Sequence, residues 1–68
     1  MPREAHIRAA EFHDLAAHAH RVAAAHHDKG DHKTGHEFSR QAMQHSSKAY
    51  KFSEAAHQKS EGTVGKEK

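Results

Sequence analysis

Apolar and small side chains recur every seven residues in both halves of the chain. This spacing is typical of α-helices that pack along one face. In the first half, one row holds Ala5, Phe12, Ala19 and His26, and a row three residues on holds Arg8, Leu15 and Val22. In the second half, the matching rows hold Gly35, Ala42, Ala49 and Ala56, and Phe38, His45 and Phe52. The pattern predicts two helices with one packed face each.

A third row is small throughout. It holds Ala9, Ala16 and Ala23, and then Ser39, Ser46, Ser53 and Ser60. Small rows let two helix axes approach closely, although alanine and serine are also compatible with exposed helix positions. Serine at every seventh position, four times running, favours packing.

The break between the helices is predicted at Gly30. Gly30 can adopt the left-handed conformation that ends a helix, and Asp31 can then cap the next one. Thr34 is the alternative cap, because Thr34-Gly35-His36-Glu37 also fits a capping box. We prefer Asp31, which gives the more compact connection but places Gly35 inside the helix, at about 1 kcal/mol relative to alanine.

These signals divide the chain into a helical hairpin, residues 1–62, and a disordered tail, residues 63–68. The helices are expected at about 2–28 and about 32–60, around a turn at 28–31. Pro2 is tolerated in a first helical turn, and Gly62 is the expected stop.

The predicted fold class is all-α, an antiparallel helical hairpin that dimerises into a four-helix bundle. Residues whose numbers sum to about 60 should lie opposite each other. The expected neighbours are Val22 with Phe38, Leu15 with His45, and Phe52 with Ile7 and Arg8. One hairpin of this size leaves such side chains half covered, whereas a second copy would enclose them. The expected core and dimer contacts are Phe12, Leu15, Ala19, Val22, Phe38, Ala42, Ala49 and Phe52.

Composition adds ten histidines, spread along 68 residues rather than gathered in a terminal block. The formal charge is +2 with histidine neutral and approaches +12 with all ten protonated, so mild acidity should matter. The chain has no cysteine, so a transition-metal site would have to use His, Asp, Glu or Met. No stretch resembles a signal peptide or is long enough to span a bilayer, so a soluble cytoplasmic protein is expected.

The stretch HHDKGDHKTGH, residues 26–36, concentrates four of these histidines around the predicted turn. His32 and His36 lie four residues apart, which puts both rings on one face of a helix, as in paired metal ligands. The predicted metal ligands, for Zn, Cu or Ni, are His26, His27, His32 and His36. The alternative is a solvated turn, with aspartates capping the second helix and histidines near the carboxyl end of the first.

A further row of sevens holds His6, His13, His20 and His27, and then His36, Met43, Tyr50 and His57. Across an antiparallel hairpin these would pair as His27 with His36, His20 with Met43, His13 with Tyr50, and His6 with His57. The secondary metal candidates are therefore His6, His13, His20, Met43 and His57. The alternative is that imidazoles only line the margin of an alanine-rich interface.

No catalytic centre is predicted, and the chain is not expected to be an enzyme. Glu54 and His57 spell the Glu-x-x-His of di-iron bundles, but Glu54 points outward in the heptad and the first helix has no second copy. Nucleic-acid binding is not expected, because Lys and Arg are scattered among acidic residues. Membrane binding is not expected, because no helix face is both basic and rich in large apolar residues.

The string AAEFHDLAAHAHRVAAAHHDKGDH resembles short bacterial Ala/His-rich helical-hairpin proteins of unknown function, which have Gly-Asp-His at the turn. The resemblance covers about residues 5–57 and implies the hairpin and the Asp31 cap, but no activity. This chain departs from it with Met43 and Tyr50. Two functions are consistent with the sequence: a histidine-rich metal-binding bundle, or a self-association module with pH-sensitive histidines and no specific metal site.

Overall fold

The chain folds into two long helices packed against each other as a hairpin. The computed structural model describes the backbone of residues 2–66 and the side chains of residues 3–61. Helix α1 spans Pro2–Asp28 and helix α2 spans His32–Lys66. Together they form a rod with extents of 56 × 13 × 12 Å. Within the described residues, neither helix is long and apolar enough to cross a membrane.

Helix α2 is longer than the sequence predicts. It passes through Gly62 and Gly65 and ends at Lys66, so residues 63–66 are helical rather than part of a disordered tail. Residues 67 and 68 lie outside the described residues. Each glycine lowers helix propensity by about 1 kcal/mol relative to alanine, which weakens a helix without ending it.

The turn follows the prediction made for Gly30 and Asp31. Gly30 has a φ of +82°. Its amide donates to the carbonyl of His27 at 3.0 Å, and the amide of Asp31 donates to the carbonyl of His26 at 2.8 Å. This pair of bonds is a Schellman motif, which satisfies the last carbonyls of α1.

Asp31 also begins α2, and the choice between Asp31 and Thr34 is thereby decided. Its Oδ1 accepts a hydrogen bond from the Thr34 amide at 3.2 Å, and its carbonyl accepts the first helical bond, from Gly35, at 3.0 Å. The Thr34 bonds, and to a lesser extent His26, hold the pKa of the Asp31 carboxyl below its ordinary value. One residue therefore ends α1 and caps α2.

The buried core of the rod is made of alanine. Among the described side chains, the buried apolar residues are Ala5, Ala9, Ala16, Ala19, Ala23, Ala42, Ala49 and Ala56. Gly35 is also buried. The core therefore uses the alanines of the predicted small row, Ala9, Ala16 and Ala23. The serines of that row are not buried: Ser39, Ser53 and Ser60 are half-buried and Ser46 is exposed.

The predicted row of Arg8, Leu15 and Val22 does not face α2. Arg8 is exposed, Val22 is half-buried, and Leu15 is 46% exposed. Each of these residues directly precedes a member of the small row, and one residue turns a helix by about 100°. Once the alanines meet α2, this row lies at the edge of the rod.

The larger rings also lie at an edge. Phe12 stacks on Phe52 with ring centroids 5.3 Å apart, and His26 stacks on Phe38 at 5.8 Å. Residues whose numbers sum to 64 are thus neighbours, rather than those summing to about 60. The ring contacts of Phe38 and Phe52 are with His26 and Phe12, which the sequence did not pair with them.

Replacing the cap tests the turn. We expect Asp31→Ala to lower the thermal unfolding midpoint and Asp31→Asn, which keeps a capping oxygen, to remain close to the wild type. Because the folded-state pKa of Asp31 is depressed, its stabilisation is present at neutral pH and is lost as pH falls below about 4. Circular dichroism melts at several pH values measure this. An Ala variant as stable as the wild type at pH 7 would contradict the assignment.

Candidate functional site at the turn

Two histidine rings from different helices meet beside the turn. Nδ1 of His27, in the last turn of α1, lies 2.9 Å from Nδ1 of His32, the first residue of α2. The ring centroids are 5.2 Å apart and the ring planes are inclined by 37°. One ring must donate its N–H and the other must accept, so the contact needs at least one unprotonated nitrogen. We call His27 and His32 the turn pair.

Gly35 makes room for the turn pair. A Cβ at this position would lie 2.8 Å from Cδ2 and from Nε2 of the His27 ring, closer than atoms normally pack. The imidazole therefore packs directly over the backbone of α2. A glycine that appears in the sequence only as a weak point of α2 allows the His27 ring to occupy this position.

His26 is held on the other side of the turn. Its Nδ1 lies 3.3 Å from Oδ2 of Asp31, and its half-buried ring stacks on Phe38. This arrangement links the end of α1 to the capping carboxylate. Hydrogen bonding of Nδ1 to a carboxylate is also how metal-binding histidines are commonly oriented, with Nε2 left as the ligand atom.

The four predicted metal ligands are thus only partly brought together. His27 and His32 are in contact, His26 lies on the opposite side of the turn, and His36 is exposed one helical turn further along α2. In the part of the chain that the structure describes, no group of three or more His, Asp or Glu side chains is arranged to hold a metal ion.

The secondary candidates are spread along the rod. Nε2 of His13 lies 3.1 Å from Oγ of Ser53, and His57 pairs with Glu61 at 2.9 Å within α2. The hydrogen-bond partner of His13 is therefore a residue of the serine row, rather than the predicted Tyr50. His6, His20, Met43 and Tyr50 are exposed. The predicted pairs required Met43 and Tyr50 to face α1, but both side chains are exposed.

A second candidate surface runs along the edge that carries the stacked rings. We call it the aromatic flank, and it comprises Phe12, Leu15, Val22, His26, Phe38, His45 and Phe52. The three phenylalanines are half-buried, and the Lys48 ammonium lies 5.7 Å from the Phe12 ring centroid. The His45 ring lies 6.4 Å from that of Phe12.

The sequence predicts much of this flank. Phe12, Leu15, Val22, Phe38 and Phe52 are among the expected core and dimer contacts that a single hairpin leaves half covered, and the three phenylalanines are half-buried. The heptad pattern does not decide whether the large or the small row lies between the helices, and two helices in contact through alanine leave their larger side chains at the edge.

The chain matches no family model, no curated protein and no solved structure. The resemblance to Ala/His-rich hairpin proteins therefore stays a prediction.

Two glycine substitutions test whether Gly35 positions the His27 ring independently of the turn at Gly30. In Gly35→Ala the new Cβ should displace the His27 ring and break its bond to His32, while α2 gains about 1 kcal/mol of helix propensity. Nitrogen-15 NMR of the imidazoles measures the loss through the tautomer signals of both rings. The control is Gly30→Ala, which has open space around the new Cβ and a strained φ. It should destabilise the hairpin by about 1–2 kcal/mol without separating the rings. Unchanged imidazole signals in Gly35→Ala would contradict the proposed role of Gly35.

Proposed function

We propose that this chain is a non-enzymatic self-association module, a homodimer in which two hairpins join through the aromatic flank into a four-helix bundle. One observation carries the proposal. The side chains buried between α1 and α2 are alanines, and among the described residues no large side chain is fully buried. The hairpin is closed by its small residues, and its large apolar residues are left at one edge.

The flank is the part of the rod that a second copy would cover. Its two ring stacks are fourteen residues apart along α1, so the flank runs about 21 Å along the rod. A single hairpin of this length has little apolar surface to bury internally. Covering the phenylalanines adds the burial that the alanine core lacks.

The chemistry of the flank makes this association sensitive to acid. His26 and His45 lie among the phenylalanines, and Lys48 is already positioned over Phe12. A charged His45 would add to the positive charge of Lys48 on a face that the second copy must desolvate, whereas a charged His26 would face the Asp31 carboxylate. The dimer is therefore stronger at pH ~7.5 than at pH ~5.5.

A matched pair of substitutions tests the dimer. Leu15 is 46% exposed on the aromatic flank, and Ile7 is 43% exposed on the outer side of α1. Leu15→Glu should raise the dimer dissociation constant by about tenfold or more, or about 1.4 kcal/mol, whereas Ile7→Glu should change it little. Both substitutions spare the alanine core, and sedimentation equilibrium measures both. A wild-type chain that remains monomeric at millimolar concentration would overturn the proposal.

A second candidate function is binding of Zn, Cu or Ni at the turn, and the turn pair specifically favours it. Metal–imidazole bonds are about 2.0 Å long, so nitrogens 2.9 Å apart suit two neighbouring ligand positions at about 90° around Cu(II) or Ni(II). The rings would turn so that their lone pairs converge. His36, four residues from His32 on the same helix face, is the nearest candidate for a third ligand.

Titration with Cu²⁺ and Zn²⁺ near pH 7.4, against a weak competing chelator, tests this candidate. His27→Ala and His32→Ala should each lower the affinity by about tenfold or more. His20→Ala is the control, since His20 is exposed one heptad from His27 on the same helix. Unchanged affinity in both turn-pair variants would exclude the turn as the metal site.

A further inference from the structure

We infer that the two hairpins of the dimer lie antiparallel, with α1 against α1 and α2 against α2, around a two-fold axis at the level of Ala19 and His45. The inference rests on the proposed dimer and specifies its geometry. It depends on the order of side chains along the aromatic flank.

The flank is symmetric about its centre. Ala19 and His45 form the middle layer, by the register that pairs residues summing to 64. Seven residues towards the turn lies the stack of His26 on Phe38, and seven residues towards the open end lies the stack of Phe12 on Phe52. An antiparallel two-fold axis at the middle layer superposes each stack on the other kind of stack. A surface that matches itself in this way is what a two-fold interface requires.

The edge residues favour this arrangement over its alternative. With α1 against α1, Leu15 of one copy lies level with Val22 of the other, so apolar edges meet. If both turns were at the same end, α1 would face α2, and Leu15 would lie against Lys48. That arrangement would set leucine against an ammonium, whereas in the antiparallel arrangement Lys48 lies at the level of Ala42 of the other copy.

Charge at the two ends supports the same choice. Asp31 lies at the turn, fourteen residues from His45, and Arg8 lies towards the open end, eleven residues from Ala19. Antiparallel copies bring Arg8 of each copy within about one helical turn of the level of Asp31 of the other. Copies with their turns together would instead bring the two Asp31 carboxylates near each other, and opposite charges across an interface fix its orientation.

His45 is the polar group at the axis. Its Nδ1 is buried and has no hydrogen-bond partner among the described residues, and the residue as a whole is half-buried at the edge of the hairpin. In the antiparallel dimer, each His45 lies level with the other. A lone polar pair in an apolar interface fixes its register, because shifted alignments leave it unpaired.

Single cysteines test the geometry, because the chain has none of its own. Leu15→Cys and Val22→Cys are mixed in equal amounts and treated with a short bis-maleimide, and the products are identified by intact mass. We expect a covalent mixed dimer. Both positions lie at the edge of the rod, so the alanine core is retained.

A second pair of cysteines tests the arrangement in which both turns lie at the same end. Leu15→Cys mixed with Lys48→Cys should cross-link only if the two turns lie at the same end, and this product would overturn the inference while leaving the dimer in place. Ala24→Cys, exposed on another side of α1, is the control and should give no product with either partner. Sedimentation of the unmodified chain is run in parallel. A monomer there would overturn both the inference and the proposed self-association.

Discussion

Close contact between two helices through alanine is the constraint on which the rest of this molecule depends. Five alanines of α1 and three of α2 are buried, and Gly35 continues the same row at the turn. Methyl groups are small enough to let the backbones approach, so the space between the helices is filled before any larger side chain can enter. Phe12, Phe38 and Phe52 are therefore held at the edge. In most small proteins the largest apolar side chains form the core, whereas in this hairpin the buried side chains are alanines.

The same contact divides the histidines by environment. His13 and His27 lie against the serine and glycine side of α2, while His26 and His45 lie among the phenylalanines on the opposite side. One residue type thus serves in two settings, polar and apolar. The turn is where the two sides come nearest, with His26 on Asp31 and His27 on His32.

Much of the fold follows from the sequence by simple physical rules. The seven-residue spacing, Gly30 and Asp31 predict two helices, a left-handed glycine and an aspartate cap, and the structure has these features. The pairing register and the packed rows do not follow as directly. The heptad pattern offers two neighbouring rows beside Ala5 and Phe12, one large and one small, and only the distance between the helices decides which of them is buried.

The candidate site was predictable in part, for a related reason. Spacing places His32 and His36 on one face, but it gives no information on a contact between helices, and the partner of His32 is His27 across the turn. That contact depends on the space above Gly35, which no periodic pattern encodes. The sequence places the phenylalanines of the aromatic flank among the core and dimer contacts, but how far each side chain is exposed is a property of the packed pair rather than of either helix alone.

The double use of Asp31 has a consequence for how such a chain can change in length. Because Asp31 both bonds back to the His26 carbonyl of α1 and caps α2, the rotational phase of one helix is fixed relative to that of the other. One added or deleted residue between positions 28 and 32 would turn α2 by about 100° and move its alanines out of contact. At the open end no such coupling exists, and seven residues added to each helix would lengthen the rod while keeping both of its sides in phase. The length of the rod can therefore change at its open end but not at the turn.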